Sequence, residues 1–222
     1  MTVASAIDAV VFDLDGVLVQ SEEVWDAARR EVAHEGGADW PAGATRAMMG
    51  MSSAEWSRYM HERVGVPAEP DEINADVVRR VEERYRRDLP WIPGAREAVM
   101  RIGDEWPLGL ATSSNREIID VVLRAGGFEE LFPVTVSSEE VGHGKPAPDV
   151  YLEAIRRLRA EPPRAAAVED STNGLLAAAA AGMRVVAIPN AAHPPEERGL
   201  AVAGAVLGSI SELSPEVVRG LA

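Results

Sequence analysis

Two aspartates one residue apart, Asp13-Leu14-Asp15, follow an apolar run and lead into Gly16-Val17-Leu18. Farther along, Glu169-Asp170-Ser171 again places acids directly after an apolar run. Thr112-Ser113-Ser114-Asn115 supplies a hydroxyl cluster, and Lys145 stands in Val141-Gly142-His143-Gly144-Lys145-Pro146-Ala147-Pro148-Asp149. Lys145 is the only lysine among 22 basic residues. An ammonium is a compact point charge on a thin stem, whereas a guanidinium is a wide planar fork that seeks bidentate partners. A narrow site shared by a carboxylate and a phosphate favours the ammonium. Acids, hydroxyls and one such cation are the parts needed to hold a phosphoryl group together with a hard divalent ion.

Mg²⁺ takes oxygen ligands, keeps several waters and commonly uses one or two carboxylates plus substrate phosphate. Asp13 and Asp170 are the expected side-chain ligands. The chain has no cysteine, and its four histidines, His34, His61, His143 and His193, fall in unrelated segments, so a zinc-type site is not expected. A carboxylate can also attack phosphorus directly to form an aspartyl-phosphate. Two anions must then meet, which a metal ion and Lys145 together would permit.

The elements that must bring these groups together are legible as short apolar runs. Ala6 to Phe12, Leu108 to Ala111, Val134 to Val136, Ala165 to Val168, Arg184 to Ile188 and Ala205 to Leu207 read as buried strands. From Leu108 onward they alternate with helical stretches at Glu117 to Ala125, Ala147 to Arg159 and Thr172 to Ala181, which predicts an α/β fold with a doubly wound, Rossmann-like, mainly parallel sheet. Such sheets bind ligands beyond the carboxyl ends of their strands, and every group named above lies at or after such an end. The interval after the first strand differs. Rich in Glu, Arg, Ala and Met, it reads as helices over Glu22 to Glu35, Thr45 to Met49, Ser53 to Val64 and Asp71 to Asp88. The expected organisation is a catalytic core of residues 1–18 and 91–222, interrupted by an all-helical cap of residues 19–90. Its two junctions, Gly16 to Gln20 and Leu89 to Gly94, are rich in Gly or Pro and suited to act as hinges.

Composition narrows the partners. With 46% hydrophobic residues and 222 residues the chain can bury a full core. A net charge of -14 argues against nucleic acid as a partner, because such binding rests on neutralising phosphates. A small phosphorylated metabolite, met by a local positive site, fits. No membrane partner is expected: Met1 to Val11 lacks a basic leader and no apolar run approaches membrane-spanning length. The default expectation is a cytoplasmic location; the oligomeric state is left open, and a monomer is compatible with the sequence.

Together the four motifs resemble those of the haloacid dehalogenase superfamily, in particular its β-phosphoglucomutase-like branch of phosphatases and phosphomutases. The resemblance covers almost the whole chain, with the helical interval similar to the family's cap. It implies that Asp13 is the nucleophile and that Asp15 protonates the leaving oxygen and later activates water. It implies that Thr112, Ser113, the backbone near Asn115 and Lys145 hold the phosphoryl group. It also implies a Mg²⁺ ion held by Asp13, the backbone carbonyl of Asp15 and Asp170, with Glu169 ligating or orienting water.

The same resemblance sorts the alternatives. Asp15 stands where the family's dehalogenases lack an acid, and the absence of any lysine in the cap excludes the Schiff-base chemistry of its phosphonatases. A sugar phosphomutase is the closer competitor. Those enzymes carry histidine where this chain places Trp25 and a loop arginine where it places Ser53, and both departures point to a phosphatase. Gln20 replaces an aspartate found in many related phosphatases. Trp25, Gly50, Met51 and Ser53 are therefore the expected cap residues for specificity, with Arg46, Arg58 or Arg63 as a second anion contact. A non-catalytic scaffold is disfavoured by the retention of both Asp13 and Asp15.

Overall fold

The computed structural model describes residues 7–221; the predicted start of the first strand at Ala6, and the reading of the leader over residues 1–6, lie outside the described residues. Six strands, β1 (Ala9–Phe12), β2 (Leu108–Thr112), β3 (Val134–Ser137), β4 (Ala165–Glu169), β5 (Arg184–Ala187) and β6 (Ala205–Val206), form one sheet in the order β3-β2-β1-β4-β5-β6. All neighbouring pairs are parallel. The chain runs outward from β1 to β3, then returns to place β4 on the other side of β1, so the order reverses between β1 and β4. That reversal leaves a crevice at the strand ends.

Alternation along each strand divides the interior in two. Val10, Phe12, Leu108, Leu110, Ala166 and Val168 face one core, while Val11, Ala111, Ala165, Ala167 and Val185 face the other. Helices α7 (Asp149–Leu158) and α8 (Thr172–Ala180) cover the second face with Val150, Tyr151, Ala154, Leu175, Ala177 and Ala178. The small side chains of α8 let it lie close to a sheet that is itself alanine-rich on that side. On the other face lie α5 (Ala95–Gly103), α6 (Arg116–Gly126) and the short α10 (Pro215–Arg219); α9 (Glu197–Leu200) packs beside α8. Neither α5 nor α10 is among the predicted helices, although α5 buries Ala95, Ala98, Val99 and Ile102 at helical spacing.

Between β1 and β2 come α1 (Glu22–Glu35), α2 (Ala44–Met48), α3 (Ser53–Tyr59) and α4 (Pro70–Arg87). The predicted single helix Ser53 to Val64 divides, since α3 continues as a π-helical turn over Met60–Val64. A capping box between Glu69 and Glu72, with Pro70 in the first turn, starts α4; Arg84, Arg86 and Arg87 close it against the negative end of its dipole. Trp25, Val32, Trp56, Met60, Ile73, Val77 and Val81 bury one another inside this helical group. Its two connections to the sheet are joined: Gln20 N–H donates to the Pro90 carbonyl at 2.8 Å and Ile92 N–H to that of Leu18 at 3.0 Å. Among the described residues no helix is long and apolar enough to cross a membrane.

Candidate active site

Strand register decides which groups meet. Phe12 pairs with Leu110 on one side and Val168 on the other, so the next residue of each strand, Asp13, Ala111 and Glu169, sits at one level. Lys145 reaches this level from the loop after β3. Its Nζ donates to Asp13 Oδ1 at 2.7 Å, Glu169 Oε1 at 2.6 Å and the Ala111 carbonyl at 3.0 Å. The stem passes the Tyr151 ring, whose centroid is 4.9 Å from Nζ. All three ammonium donors are thereby used, and the residue is only 7% exposed.

Glu169 is fully enclosed. Tyr151 Oη donates to its Oε1 at 2.9 Å, while Oε2 accepts from the backbone N–H groups of Asp170 and Ser171 at 3.0 and 3.1 Å and from Ser171 Oγ at 3.2 Å. Its two oxygens are thus committed to protein donors. Gly174, in the first turn of α8, leaves the space this carboxylate fills, because a Cβ there would overlap it. Among the described residues no donor reaches the Asp170 carboxylate, which lies against Gly16, where a Cβ would likewise collide with it. The positive φ of +81° at Gly16 turns the chain after Asp15 so that this approach is possible.

Asp15 faces the second strand exit. Ser114 Oγ donates to its Oδ2 at 2.6 Å and Thr112 Oγ1 at 3.4 Å, leaving Oδ1 buried without a partner. Ser114, which the sequence offers only as part of the Thr112 to Asn115 hydroxyl cluster, thus holds Asp15 at the candidate site. Thr112 and Ser113 reach the same cavity wall. Asn115 does not. Standing at the N-cap of α6, it makes no side-chain cap; its Oδ1 accepts from Ser53 Oγ at 2.9 Å and its Nδ2 donates to Glu139 Oε1 at 2.6 Å and Asn74 Oδ1 at 3.3 Å. Asn115 and Ser53 therefore tie the helical group to the sheet rather than line the cavity.

That cavity, about 740 Å³, lies between the strand exits and the helical group, within the range of small-molecule sites. Asp13, Asp15, Lys145 and Asp170 line it from the sheet; Trp25, Arg29, Met48, Gly50, Met51 and Trp56 line it from the helices. Arg46 reaches it from an exposed position, whereas Arg58 and Arg63 are exposed and outside it. Arg29 was missing from the sequence reading. Its position one turn after Trp25 was the available signal, since residues four apart share a helix face.

The electrostatics follow from burial. Acid oxygens of Asp13, Glu169 and Asp170 gather within 4.8 Å of one another, with one ammonium among them. Burial pushes Asp13 up to about 8 despite the pull of Lys145. Burial and the charges of Glu169 and Asp13 raise Asp170 well above the usual carboxylate range. Burial alone would lower Lys145, but Asp13 and Glu169 outweigh it and keep the ammonium charged. With all three carboxylates ionised, the cluster would exceed its one cation by two negative charges, which a divalent ion would balance in place of the protons that the raised Asp13 and Asp170 otherwise keep. Oxygen-only donors fit Mg²⁺.

A model of haloacid dehalogenase-like hydrolases matches residues 7–182. Hexitol phosphatase B of Escherichia coli (strain K12) is 30% identical over 99% of this chain and 100% of its own length. The bifunctional riboflavin kinase/FMN phosphatase of Arabidopsis thaliana is 31% identical over 82% of this chain, which spans about half (48%) of that protein. Among solved structures, CbbY from Rhodobacter sphaeroides in complex with phosphate superposes with a TM-score of 0.86 at 28% identity, covering 96% of this chain and 99% of that one.

Proposed function

Since the chain belongs to the haloacid dehalogenase-like hydrolases, and its relatives include phosphatases, we propose that it is a Mg²⁺-dependent phosphomonoesterase that works through an aspartyl-phosphate on Asp13. The substrate class is a small phosphorylated metabolite. Residues 19–90 act as the cap over a core of residues 1–18 and 91–222. The observation that carries the reading is the Lys145–Asp13 pair: Oδ1 is held by the ammonium, the other carboxylate oxygen has no donor among the described residues, and Asp13 lines the cavity.

Asp13 attacks phosphorus with that free oxygen, a P–O bond forms, and the bond to the leaving oxygen breaks. Asp15 gives the leaving oxygen its proton. Ser114 and Thr112 hold Asp15 by Oδ2, so the unpartnered Oδ1 is the atom available to carry that proton. Asp15, now ionised, takes a proton from water, the water oxygen bonds phosphorus, and Asp13 is released with inorganic phosphate. Thr112 and Ser113 at the cavity wall hold phosphoryl oxygens. Asp13, Asp170 and the Asp15 carbonyl would hold Mg²⁺, which when bound offsets the negative charge that builds where carboxylate and phosphate meet. Glu169 acts behind these groups, positioning Lys145 through Oε1 and the start of α8 through Oε2.

Trp25 offers a cavity wall without a titratable group, which supports transfer to water over the phosphate-conserving transfer of a mutase. A panel of phosphate esters with and without Mg²⁺, assayed for inorganic phosphate and for isomerised ester, tests the proposal. Phosphate release that needs Mg²⁺ and falls about 10⁴-fold or more in Asp13→Asn is expected. Metal-independent turnover, full activity in that variant, or isomerised product in place of phosphate would overturn it.

A further inference from the structure

Arg29 is held as few arginines of this chain are. Its guanidinium carbon lies 5.2 Å from the Trp25 ring centroid and 4.8 Å from that of Trp56, and the two indoles meet edge to face at 6.0 Å. Stacking against two rings fixes the plane of the fork. Its edge is left free. Among the described residues no carboxylate lies within ion-pair distance of Arg29, and its buried Nε has no hydrogen-bond partner. Its neighbours differ: Arg30 pairs with Asp26, Arg84 with Glu31, and Arg80 with Glu31, Glu35 and Asp76. In a chain with 36 acidic residues, Asp15 and Asp26 lie near enough to favour the charged guanidinium, yet neither is placed to pair with it.

The unpaired Arg29 Nε is not isolated. Only three buried side-chain polar atoms of the described residues lack a partner: Arg29 Nε, Asp15 Oδ1 and Tyr85 Oη. Arg29 and Asp15 line the same cavity, from opposite sides of the gap between helices and sheet. Asp26, the nearest acid on α1, is already committed to Arg30 and to Thr45, whose Oγ1 donates to it at 2.5 Å. Asp15 is held by Ser114 and stays outside ion-pair distance. Unpaired buried donors are rare in native structures and call for a partner that the protein alone does not supply.

We propose that Arg29 is a specificity-determining residue whose free edge receives a second acidic group, a carboxylate or a second phosphate, carried by the substrate away from its reacting phosphate. The chemistry follows from the fork. A planar guanidinium gripped on its faces offers parallel N–H donors that match a carboxylate or phosphate edge, which a lone hydroxyl does not. Charge gives the second reason. Asp15, Glu22, Asp26 and Asp170 also line the cavity, so an anionic substrate tail is repelled except beside a cation; Arg198 is paired with Glu196 and Arg46 is exposed, whereas Arg29 is set among the apolar rings. The indoles then flank the carbon frame joining the two acidic ends.

This inference rests on the phosphatase reading, and the experiment separates the two. Wild type, Arg29→Gln and Arg29→Lys are assayed on p-nitrophenyl phosphate and fructose 6-phosphate, which lack a second acid, on 2-phosphoglycolate, which carries a carboxylate, and on fructose 1,6-bisphosphate. In wild type the preferred ester is one of the acid-bearing pair, and which of them leads tells carboxylate from phosphate. In Arg29→Gln, kcat/KM on that ester falls about 10- to 100-fold relative to p-nitrophenyl phosphate, mainly through KM, and Arg29→Lys recovers part of it. The same esters are titrated calorimetrically into Asp13→Asn protein with and without Arg29→Gln, where the affinity ratio changes in parallel. Equal losses on all esters, or a wild type that favours the neutral esters, overturns the role of Arg29. Turnover of no ester by wild type sinks the phosphatase reading alone, and the binding ratio then still decides for or against Arg29.

Discussion

Replacing Lys145 by arginine keeps the charge and removes the fit, so it isolates what the lone lysine contributes. Nζ is coordinated by acceptors at 2.6, 2.7 and 3.0 Å that come from three adjacent strands, with the Tyr151 ring closing one side. A guanidinium is longer and flat, and it cannot aim three donors at three converging acceptors. Forcing it into this closed slot costs about 1–3 kcal/mol in overpacking. The larger consequence is for Asp13, since a displacement of about 1 Å in a reacting group lowers turnover about 10²-fold. Lys145→Arg is therefore expected to lose about 10²- to 10³-fold in kcat/KM on p-nitrophenyl phosphate with saturating Mg²⁺. Lys145→Met makes the complementary change. It leaves three buried carboxylates with no ammonium, and breaking such a buried pair costs about 3–5 kcal/mol. For a chain of this size that lowers Tm by about 6–20 °C in metal-free buffer. Steady-state kinetics and thermal melts followed by circular dichroism read the two effects. Lys145→Arg turning over within about threefold of wild type, with an unchanged Tm, would refute the reasoning, because a slot that accepts a guanidinium cannot be setting the position of Asp13.

Gly174→Ala tests the support of Lys145 at one remove: the added methyl meets the Glu169 carboxylate, so a drop in Tm together with a loss of kcat is expected, and a protein with wild-type melting and turnover would show that Glu169 is not confined as described. The pH dependence of the metal-free protein follows from the raised carboxylates. Asp13 and Asp170 retain protons in the folded state that the unfolded chain has lost, so their contribution to stability declines as pH rises from the ordinary carboxylate value of 3.8 to about 8. Urea unfolding in EDTA from pH 5 to 8 should show that decline, with added Mg²⁺ stabilising more at pH 8 than at pH 5, because the ion competes with those protons; stability flat across the range with an equal Mg²⁺ effect at both ends would count against it.

Local pattern determined much of this protein. Strands with apolar side chains on both faces announce themselves as short runs such as Ala165 to Val168, and the acids, hydroxyls and lysine beyond them stand out because such groups are costly to bury without a purpose. Family motifs at those ends pointed to the haloacid dehalogenase-like hydrolases, and the match to residues 7–182 bears out that family. Helix α5 was legible in principle, with Ala95, Ala98, Val99 and Ile102 at helical spacing, but a nine-residue helix beside Gly94 and Pro107 carries a weak periodic signal.

What no local pattern carries is the pairing of distant groups. That Asp13, Ala111 and Glu169 share one level depends on strand register, and only this makes Lys145 a three-way clamp and gives Glu169 a positioning task. Ser53 and Asn115, 62 residues apart, have the types expected of a binding wall; the packing of α4 against α6 turned them into a joint between helices and sheet. Arg29 was one arginine among many until two tryptophans closed on its faces and every nearby acid found another partner. A residue's type sets which interactions it can make, while the folded chain, by filling some of its bonding positions and leaving others open, sets which remain for a substrate.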